Sequence, residues 1–252
     1  MKRRITHQFL WISLTFCFAV SAYGQGIYWE SKEIGSPMGD KSDVARFYYM
    51  PRMFKVILDE GGRTIIFRLD KQLMITVDNA DKTYTELTFA ELEKTMKKAG
   101  AQMEEMKKKM ADLPEEQRKM MEQMMGDGGV VEVKATGEKK SISGYACSKY
   151  VVTKNGKESI AVWTTKDVKG FDSMRKDMEE FGRLIAELNP MMGKEMAEGM
   201  KKIEGFPIQT DMGSIKSVVT KVEKRASPPS EFDVPSGYKK VKPKMMEGMN
   251  EE

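Results

Sequence analysis

Apolar and polar residues alternate along residues 26–87, and short polar gaps interrupt the alternation. Gaps such as Asp70-Lys71 and Asn79-Ala80 between β-branched runs indicate antiparallel hairpins. The segment therefore predicts a β-meander of six runs, which are IYWESKEI, ARFYYM, RMFKVILD, RTIIFRL, QLMITVD and KTYTEL.

The spacing changes to that of an amphipathic helix over residues 87–126. Apolar positions then recur at alternating intervals of four and three residues, with Glu and Lys on the other faces. This stripe consists of Leu92, Met96, Ala99, Met103, Met106, Met110 and Leu113. Pro114 interrupts it and fits the first turn of a following helix. That second helix carries the stretch RKMMEQMMGDGG and is predicted to end at its glycines.

Strand-like runs return after residue 129 as VVEVKAT, KKSISGY, SKYVVTK and KESIAVWTT. Asn155-Gly156 separates the last two and predicts a tight hairpin, because both residues tolerate positive φ. A second helical region is predicted over residues 171–202, where Pro190 interrupts the helix. Its apolar stripe is Met174, Met178, Phe181, Ile185, Leu188 and Met192. A final hairpin follows in FPIQTDM and SIKSVVTKVEKR, and ASPPSEFDVPSGYKKV closes the domain.

This order of elements predicts an α+β fold. Consecutive strands joined by tight turns favour a largely antiparallel sheet, and the long helical insertions are expected to pack on one of its faces. We expect a single domain over residues 25–241 and a mobile charged tail over residues 242–252.

The first 24 residues have the three parts of a cleaved secretory signal peptide. Three cations precede an apolar run over residues 9–20, and Ala22-Tyr23-Gly24 is a small-x-small cleavage site. The apolar run is shorter than the roughly 20 residues of a spanning helix, and we find no later run of that length. The sequence therefore predicts a periplasmic protein that has no membrane span once the signal is removed.

Removal of this segment changes the charge and the available chemistry. The formal charge falls from +4 to +1, which leaves no large excess of positive charge for binding nucleic acid. The only histidine, His7, is lost, so histidine-based catalytic and metal sites are excluded. Cys147 is the one remaining thiol, too few for a thiolate zinc site. We expect it to be a buried, unpaired side chain, and an intermolecular disulfide is the alternative. An enzyme is not expected, and no catalytic residue or cofactor is assigned.

Four stretches resemble a family of exported bacterial proteins defined as a domain of unknown function. They are TIIFRLDKQLMITVDNADKTYTEL, SISGYACSKYVVT with AVWTTKD, EGFPIQTDM, and EFDVPSGYKKV.

The early meander, with RMFKVIL, and the late Phe-x-Val-Pro-x-Gly are also loosely similar to the periplasmic lipoprotein carriers and receptors of the LolA/LolB type. That likeness implies a curved, incomplete antiparallel barrel whose apolar face is plugged by helices and receives acyl chains.

The methionines admit three interpretations. Met is a good helix former and fills irregular gaps, so the stripes predict core packing first of all. Methionine faces can also re-pack around unlike partners, which favours a hydrophobic ligand, either a lipid or a lipidated protein, held between sheet and helices. Its expected lining is Met96, Met103, Met106, Met110, Met178, Phe181, Ile185 and Leu188.

The third interpretation is soft-metal binding, because thioethers suit Cu(I). Its candidates are Met120, Met121, Met124 and Met125 in the second helix, with Met245, Met246 and Met249 in the tail. A structural interaction module of the envelope is a further alternative to the hydrophobic ligand.

Overall fold

A computed structural model describes residues 25–35, 44–58, 61–111, 114–115, 130–188, 198–199 and 201–243. Within these residues, twelve strands form one sheet and two α-helices lie outside it. The helices are α1 (Phe89–Ala111) and α2 (Phe171–Leu188). A 3-10 helix spans Pro229–Phe232. The strands are β1 (Gln25–Ile34), β2 (Val44–Met50), β3 (Met53–Leu58), β4 (Arg63–Arg68), β5 (Leu73–Asp78), β6 (Thr83–Thr88), β7 (Val131–Ile142), β8 (Tyr145–Lys154), β9 (Lys157–Thr165), β10 (Phe206–Met212), β11 (Ile215–Ala226) and β12 (Lys239–Lys240).

The strand order is β12-β6-β5-β4-β3-β2-β1-β11-β10-β9-β8-β7. Strands β1 to β6 are therefore neighbours in chain order, from the middle of the sheet to one edge. Strand β7 lies at the opposite edge, and β8 to β11 follow in order toward the middle, where β11 pairs with β1. Each described pair is antiparallel except β12 with β6, which is parallel. The result is a large, curved and unclosed antiparallel sheet, as the sequence predicts.

The hairpins follow the predicted turn chemistry. Asn155 and Gly156 have φ of 53° and 74°, so both occupy the left-handed region that this two-residue connection requires. The predicted hairpin between β8 and β9 is confirmed by their antiparallel register.

The runs VVEVKAT and KKSISGY are not two strands. They form one strand, β7, whose register against β8 shifts between Ala135 and Lys139. Gly137 lies inside the shift with a φ of 80°, a backbone geometry that suits glycine at a bulge. Gly137, which separates the two runs in the sequence, therefore marks an irregularity inside one strand.

The start of α1 is set by a reciprocal cap. The backbone amide of Glu91 donates to the Thr88 hydroxyl over 3.1 Å, and the amide of Thr88 donates to the Glu91 carboxylate over 2.8 Å. This is a capping box, which satisfies two donors at the helix end. α1 ends at Ala111, before Pro114. The predicted helix that carries MMEQMM lies outside the described residues, as do residues 189–197 of the second predicted helical region.

The two sheet faces are covered by different parts of the chain. We call the face that carries α2 the helix face. Its buried cluster joins both halves of the sheet to the helix through Met174, which is 2% exposed. The other members are Ile27, Tyr49, Cys147, Trp163, Val168, Phe206, Ile208 and Val219.

We call the opposite side the strap face, because the segment 227–241, the strap, crosses it. Phe232 of the strap is fully buried there, among Met50, Met53, Ile66, Ile75 and Val77. The strap then reaches the sheet edge, where β12 pairs with β6. This path explains the parallel pair, because the strand arrives by crossing a face of the sheet, with no hairpin joining it to β6.

The packing predicted for the methionine stripes is not confirmed. Met174 is buried in α2, and Met96 of α1 packs against Leu87 and Leu92. Met106 and Met178, in contrast, are 44% and 52% exposed. The sheet is the larger part of the described fold. No helix in the described part of the chain is both long and apolar enough to cross a membrane.

Candidate functional site

A row of apolar side chains crosses the helix face in cross-strand register. Trp29 pairs with Phe47, Phe47 with Val56, and Val56 with Ile65. Because side chains on a strand alternate between faces, these four share the face of Ile27 and Tyr49. We call Trp29, Phe47, Val56 and Ile65 the open row. Each of them is only half-buried.

A second row, two residues away along each strand, lies next to α2, and of its members Tyr49 is buried while Phe54, Phe67 and Met74 are half-buried. Tyr49 pairs with Phe54, Phe54 with Phe67, and Phe67 with Met74. Phe181 of α2 lies over this row, with its ring 4.7 Å from that of Phe67. The buried clusters of the described residues do not include Phe47, Val56 or Ile65. The helix therefore lies over one apolar row and leaves the neighbouring row partly accessible.

Aromatic contacts give the open row a rigid end. The Trp29 and Phe47 rings stack at 4.8 Å with an interplanar angle of 4°. The edge of Trp29 meets Phe206 at 5.5 Å, and Phe206 in turn meets Phe171 at the start of α2. Flat aromatic walls of this kind present a large apolar surface with few rotatable bonds.

Polar contacts hold α2 on the sheet. The Tyr49 hydroxyl lies 3.0 Å from both the Ser173 hydroxyl and the Asp177 carboxylate, and it donates to the carboxylate. The backbone amide of Arg52 also donates to Asp177, over 2.6 Å. The Arg52 guanidinium donates to both carboxylate oxygens of Glu180 at 2.9 Å each. Burial and the Asp177 carboxylate raise the pKa of Tyr49 to about 12.

A cavity of about 220 Å³ adjoins the open row at its aromatic end. Ile27 and Val222 lie on its sheet side, and Val222 is the register partner of Trp29. Val168 and Tyr145 contribute further apolar surface. The charged residues at the cavity are Asp167, Lys169, Glu223 and Lys224. Cavity and row thus share one continuous apolar surface.

Of the predicted ligand-lining residues whose side chains the structure describes, two are packed against other residues and two are exposed. Phe181 lies between the sheet and α1, with ring contacts to Phe67 and, at 6.0 Å, to Phe89. Met96 is part of the small cluster under α1, whereas Met106 and Met178 are exposed. The side chains of Met103, Met110, Ile185 and Leu188 lie outside the described residues. The lining stays a prediction.

The open row was missed from the sequence, although its signal is present. Trp29 and Phe47 occupy every-second positions in the alternating runs IYWESKEI and ARFYYM. Alternation identifies the two faces of a strand but does not say which part of a face a helix covers, and here the path of α2 decides that.

The single thiol of the expected mature chain is a buried core group. Cys147 is 2% exposed, unpaired, and part of the cluster on the helix face. Burial raises the pKa of its thiol, which makes it a poor nucleophile. This confirms the buried-thiol prediction.

The described residues contain no group of three or more His, Cys, Asp or Glu side chains placed to hold a metal ion. The methionines proposed as Cu(I) ligands at 120–125 and 245–249 lie outside the described residues, so that interpretation stays untested.

Comparison with known proteins places the chain in a family. The family model described as a domain of unknown function (DUF4412) matches residues 101–238, which is more than half of the chain. No curated protein matches the sequence.

Two solved structures are similar to this chain at low sequence identity. An uncharacterized conserved protein from Thermus thermophilus is 8% identical with a TM-score of 0.47, over 88% of this chain and 93% of that one. MucB, in a complex with MucA(peri), is 6% identical with a TM-score of 0.38, over 86% of this chain and 57% of the MucB chain.

Proposed function

We propose that this protein, which belongs to the DUF4412 family, binds a hydrophobic ligand of the cell envelope on the helix face of its sheet. The ligand is the acyl chain of a lipid or a lipoprotein. The proposal includes a periplasmic location, as the signal-like residues 1–24 suggest, and a binding role without catalysis.

The observation that supports it most strongly is the continuity of the open row with the cavity. From Val222 to Ile65 the row crosses five adjacent strands. With strands ~4.8 Å apart, this is a path of about 19 Å. One leaflet of a bilayer core is about 15 Å deep, so the row is long enough for one extended acyl chain.

The cavity alone is too small for such a ligand. Ligand pockets usually have volumes of about 300–1,000 Å³, and this one has about 220 Å³. We therefore place one end of the ligand in the cavity and the rest along Trp29, Phe47, Val56 and Ile65.

The driving force is the removal of methylene groups from water, at about 0.8 kcal/mol for each one fully buried. A chain that lies on a row open on one side buries about half of that surface. The affinity should therefore rise roughly twofold with each added methylene and level off once the chain is longer than the row.

The test has two parts. Protein prepared from the periplasm is examined by native mass spectrometry and organic extraction for a bound lipid, and the purified protein is then titrated with saturated fatty acids of increasing length. We expect a co-purifying acyl species and an affinity that rises and then levels off.

A matched pair of variants on β3 locates the site. Val56→Gln introduces a polar amide into the open row, whereas Ile57→Gln introduces it on the opposite face of the same strand, and both positions are half-buried. We expect only the first variant to weaken binding. No bound lipid together with no fatty-acid binding would refute the proposal and leave an interaction module as the better interpretation.

A further inference from the structure

The charged side chains at the cavity suggest which end of a ligand it receives. Lys169 and Lys224 both line it, and both are exposed. Lys224 is the register partner of Ile27 and so projects from the helix face at the end of the apolar surface. Among the described residues, no carboxylate forms an ion pair with either lysine.

Of the two acidic groups at the same cavity, Glu223 is paired with a cation, whereas Asp167 has only a neutral hydrogen-bond donor. Glu223 is paired with Lys221 at 2.9 Å, and its position in β11 directs it to the other face of the sheet. Asp167 accepts a hydrogen bond from the Thr165 hydroxyl over 3.3 Å. With Glu223 matched by Lys221, two lysines lie against one carboxylate at the cavity, so the net charge there is positive.

We propose that the cavity is the head-group site of a single-chain anionic amphiphile, namely the carboxylate of a free fatty acid. The carboxylate lies between Lys169 and Lys224, and the chain runs from Ile27 and Val222 along the open row. This rests on the proposed function and adds the chemistry and the direction of the ligand.

The size of the site favours this class over a phospholipid or a lipidated protein. About 220 Å³ accommodates a carboxylate with its first methylenes, while glycerol, a phosphate and a second chain need more room. The open row is also a single path, which fits one chain. A lipidated protein carries its acyl chain on a neutral linkage and gives the lysines no anion to bind.

The experiment compares ligands that share a chain and differ in the head. The full chain is titrated by calorimetry with dodecanoate, dodecanol and dodecyltrimethylammonium, below the critical micelle concentrations of the two ionic compounds and the solubility limit of dodecanol. We expect dodecanoate to bind tightest, dodecanol more weakly and the cation weakest. Raised ionic strength should weaken only dodecanoate among the three, because salt screens exposed charge pairs.

Charge reversal then tests the two lysines. The double variant Lys169→Glu with Lys224→Glu should weaken dodecanoate about tenfold, since exposed ion pairs are individually modest, and leave dodecanol within about twofold. Lys169→Arg with Lys224→Arg should keep dodecanoate binding. Lys157→Glu, at the exposed start of β9, reverses one lysine away from the cavity and should have no effect. Asp167→Asn should strengthen dodecanoate binding, because it removes a nearby negative charge.

The outcomes separate the two proposals. If none of the dodecyl compounds binds, the hydrophobic-ligand function itself is wrong. If dodecanol and dodecanoate bind equally and the reversed variant binds both as the wild type does, the function stands and the carboxylate site is wrong. Tighter binding of dodecyltrimethylammonium would also overturn the anion site, since the carboxylate of Asp167 would then dominate.

Discussion

The hydroxyl of Tyr49 in β2 donates a hydrogen bond to the carboxylate of Asp177 in α2 across 3.0 Å. The same carboxylate accepts the backbone amide of Arg52, at the turn between β2 and β3. Tyr49 is 2% exposed, and its contact with Asp177 is partly buried. The hydroxyl of one buried residue thus links the helix to the sheet where the proposed ligand path begins.

We predict that Tyr49→Phe loosens α2 with little change to the sheet. The variant keeps the ring and removes one hydrogen bond to a charged group, which should lower the free energy of unfolding by about 1.5–3 kcal/mol. Urea unfolding measures the loss. Tyr48→Phe is the matched control, because Tyr48 lies on the strap face next to it in the same strand and its hydroxyl makes no hydrogen bond within the described residues. Equal effects of the two variants would contradict this role of Tyr49.

The same contact predicts a loss of stability at alkaline pH. Burial and Asp177 raise the pKa of Tyr49 to about 12, above the value of about 10 for an unfolded tyrosine. Because the folded pKa is the higher one, the stabilisation is complete below pH 10 and is lost as the pH rises toward 12. The burial of Tyr28 and its hydrogen bond to Glu30 raise the pKa of that hydroxyl too. The difference in unfolding free energy between wild type and Tyr49→Phe should therefore shrink between pH 9.5 and 11.5, while Tyr28 acts equally in both proteins. A constant difference would show that Tyr49 titrates normally.

At acidic pH, the group whose titration should change the stability of the protein is Asp70. Its carboxylate accepts from the buried Arg68 guanidinium over 2.8 Å, and this hydrogen bond holds the Asp70 pKa below the ordinary value of 3.8. Since the folded pKa is the lower one, the stabilisation is present above pH 3.8 and is lost as the pH falls through the folded value. Asp70 is partly exposed, so Asp70→Asn should cost only about 0.5–1 kcal/mol at pH 7.

Unfolding measured from pH 7 down to pH 2.5 tests this. The difference between wild type and Asp70→Asn should disappear at the acidic end. Asp81→Asn, in the exposed turn between β5 and β6, should stay within about 0.5 kcal/mol of the wild type at every pH. If the Asp70 difference persists at pH 2.5, its cause is not the ionised carboxylate.

Local pattern predicted the strands because their causes are local. Alternation and the turn residues Asn155-Gly156 determine where β8 and β9 begin and end, and the capping box at Thr88 and Glu91 sets the start of α1. The pairing of β1 with β11 has no local signal, since nearly the whole described chain separates the two strands. The conspicuous period of the methionine helices predicts a ligand lining on those helices. Sequence alone does not indicate the open row, because the path of α2 decides which part of the helix face stays accessible.

For the strap we predict a larger loss of unfolding free energy. Phe232 is fully buried between strap and sheet, and Arg68 bonds both the carbonyl of Phe232 and the carboxylate of Asp233. Phe232→Ala should lower the free energy of unfolding by about 3–5 kcal/mol, since it leaves a cavity that the sheet cannot fill. Phe232→Leu should cost clearly less. Urea unfolding gives the size of the loss, and protease sensitivity at residues 227–241 shows whether the strap detaches first. A loss below 1 kcal/mol would mean that the strap contributes little to the core.

Two glycines should respond oppositely to alanine. Gly156 has a φ of 74° in the β8–β9 turn, and Gly182 lies within α2; a Cβ added at either would meet no atom within 4 Å. Both positions therefore have room for a methyl group, and the backbone conformation decides whether alanine stabilises or destabilises the protein. Gly156→Ala forces an L-residue into the left-handed region and should cost about 1–2 kcal/mol. Gly182→Ala reduces the freedom of the unfolded chain and should add about 0.4–1 kcal/mol. The urea midpoints of the two variants should fall on opposite sides of the wild-type value. A stabilised Gly156→Ala would mean that the turn does not hold its left-handed conformation, and a destabilised Gly182→Ala would mean that α2 packs closely at that position.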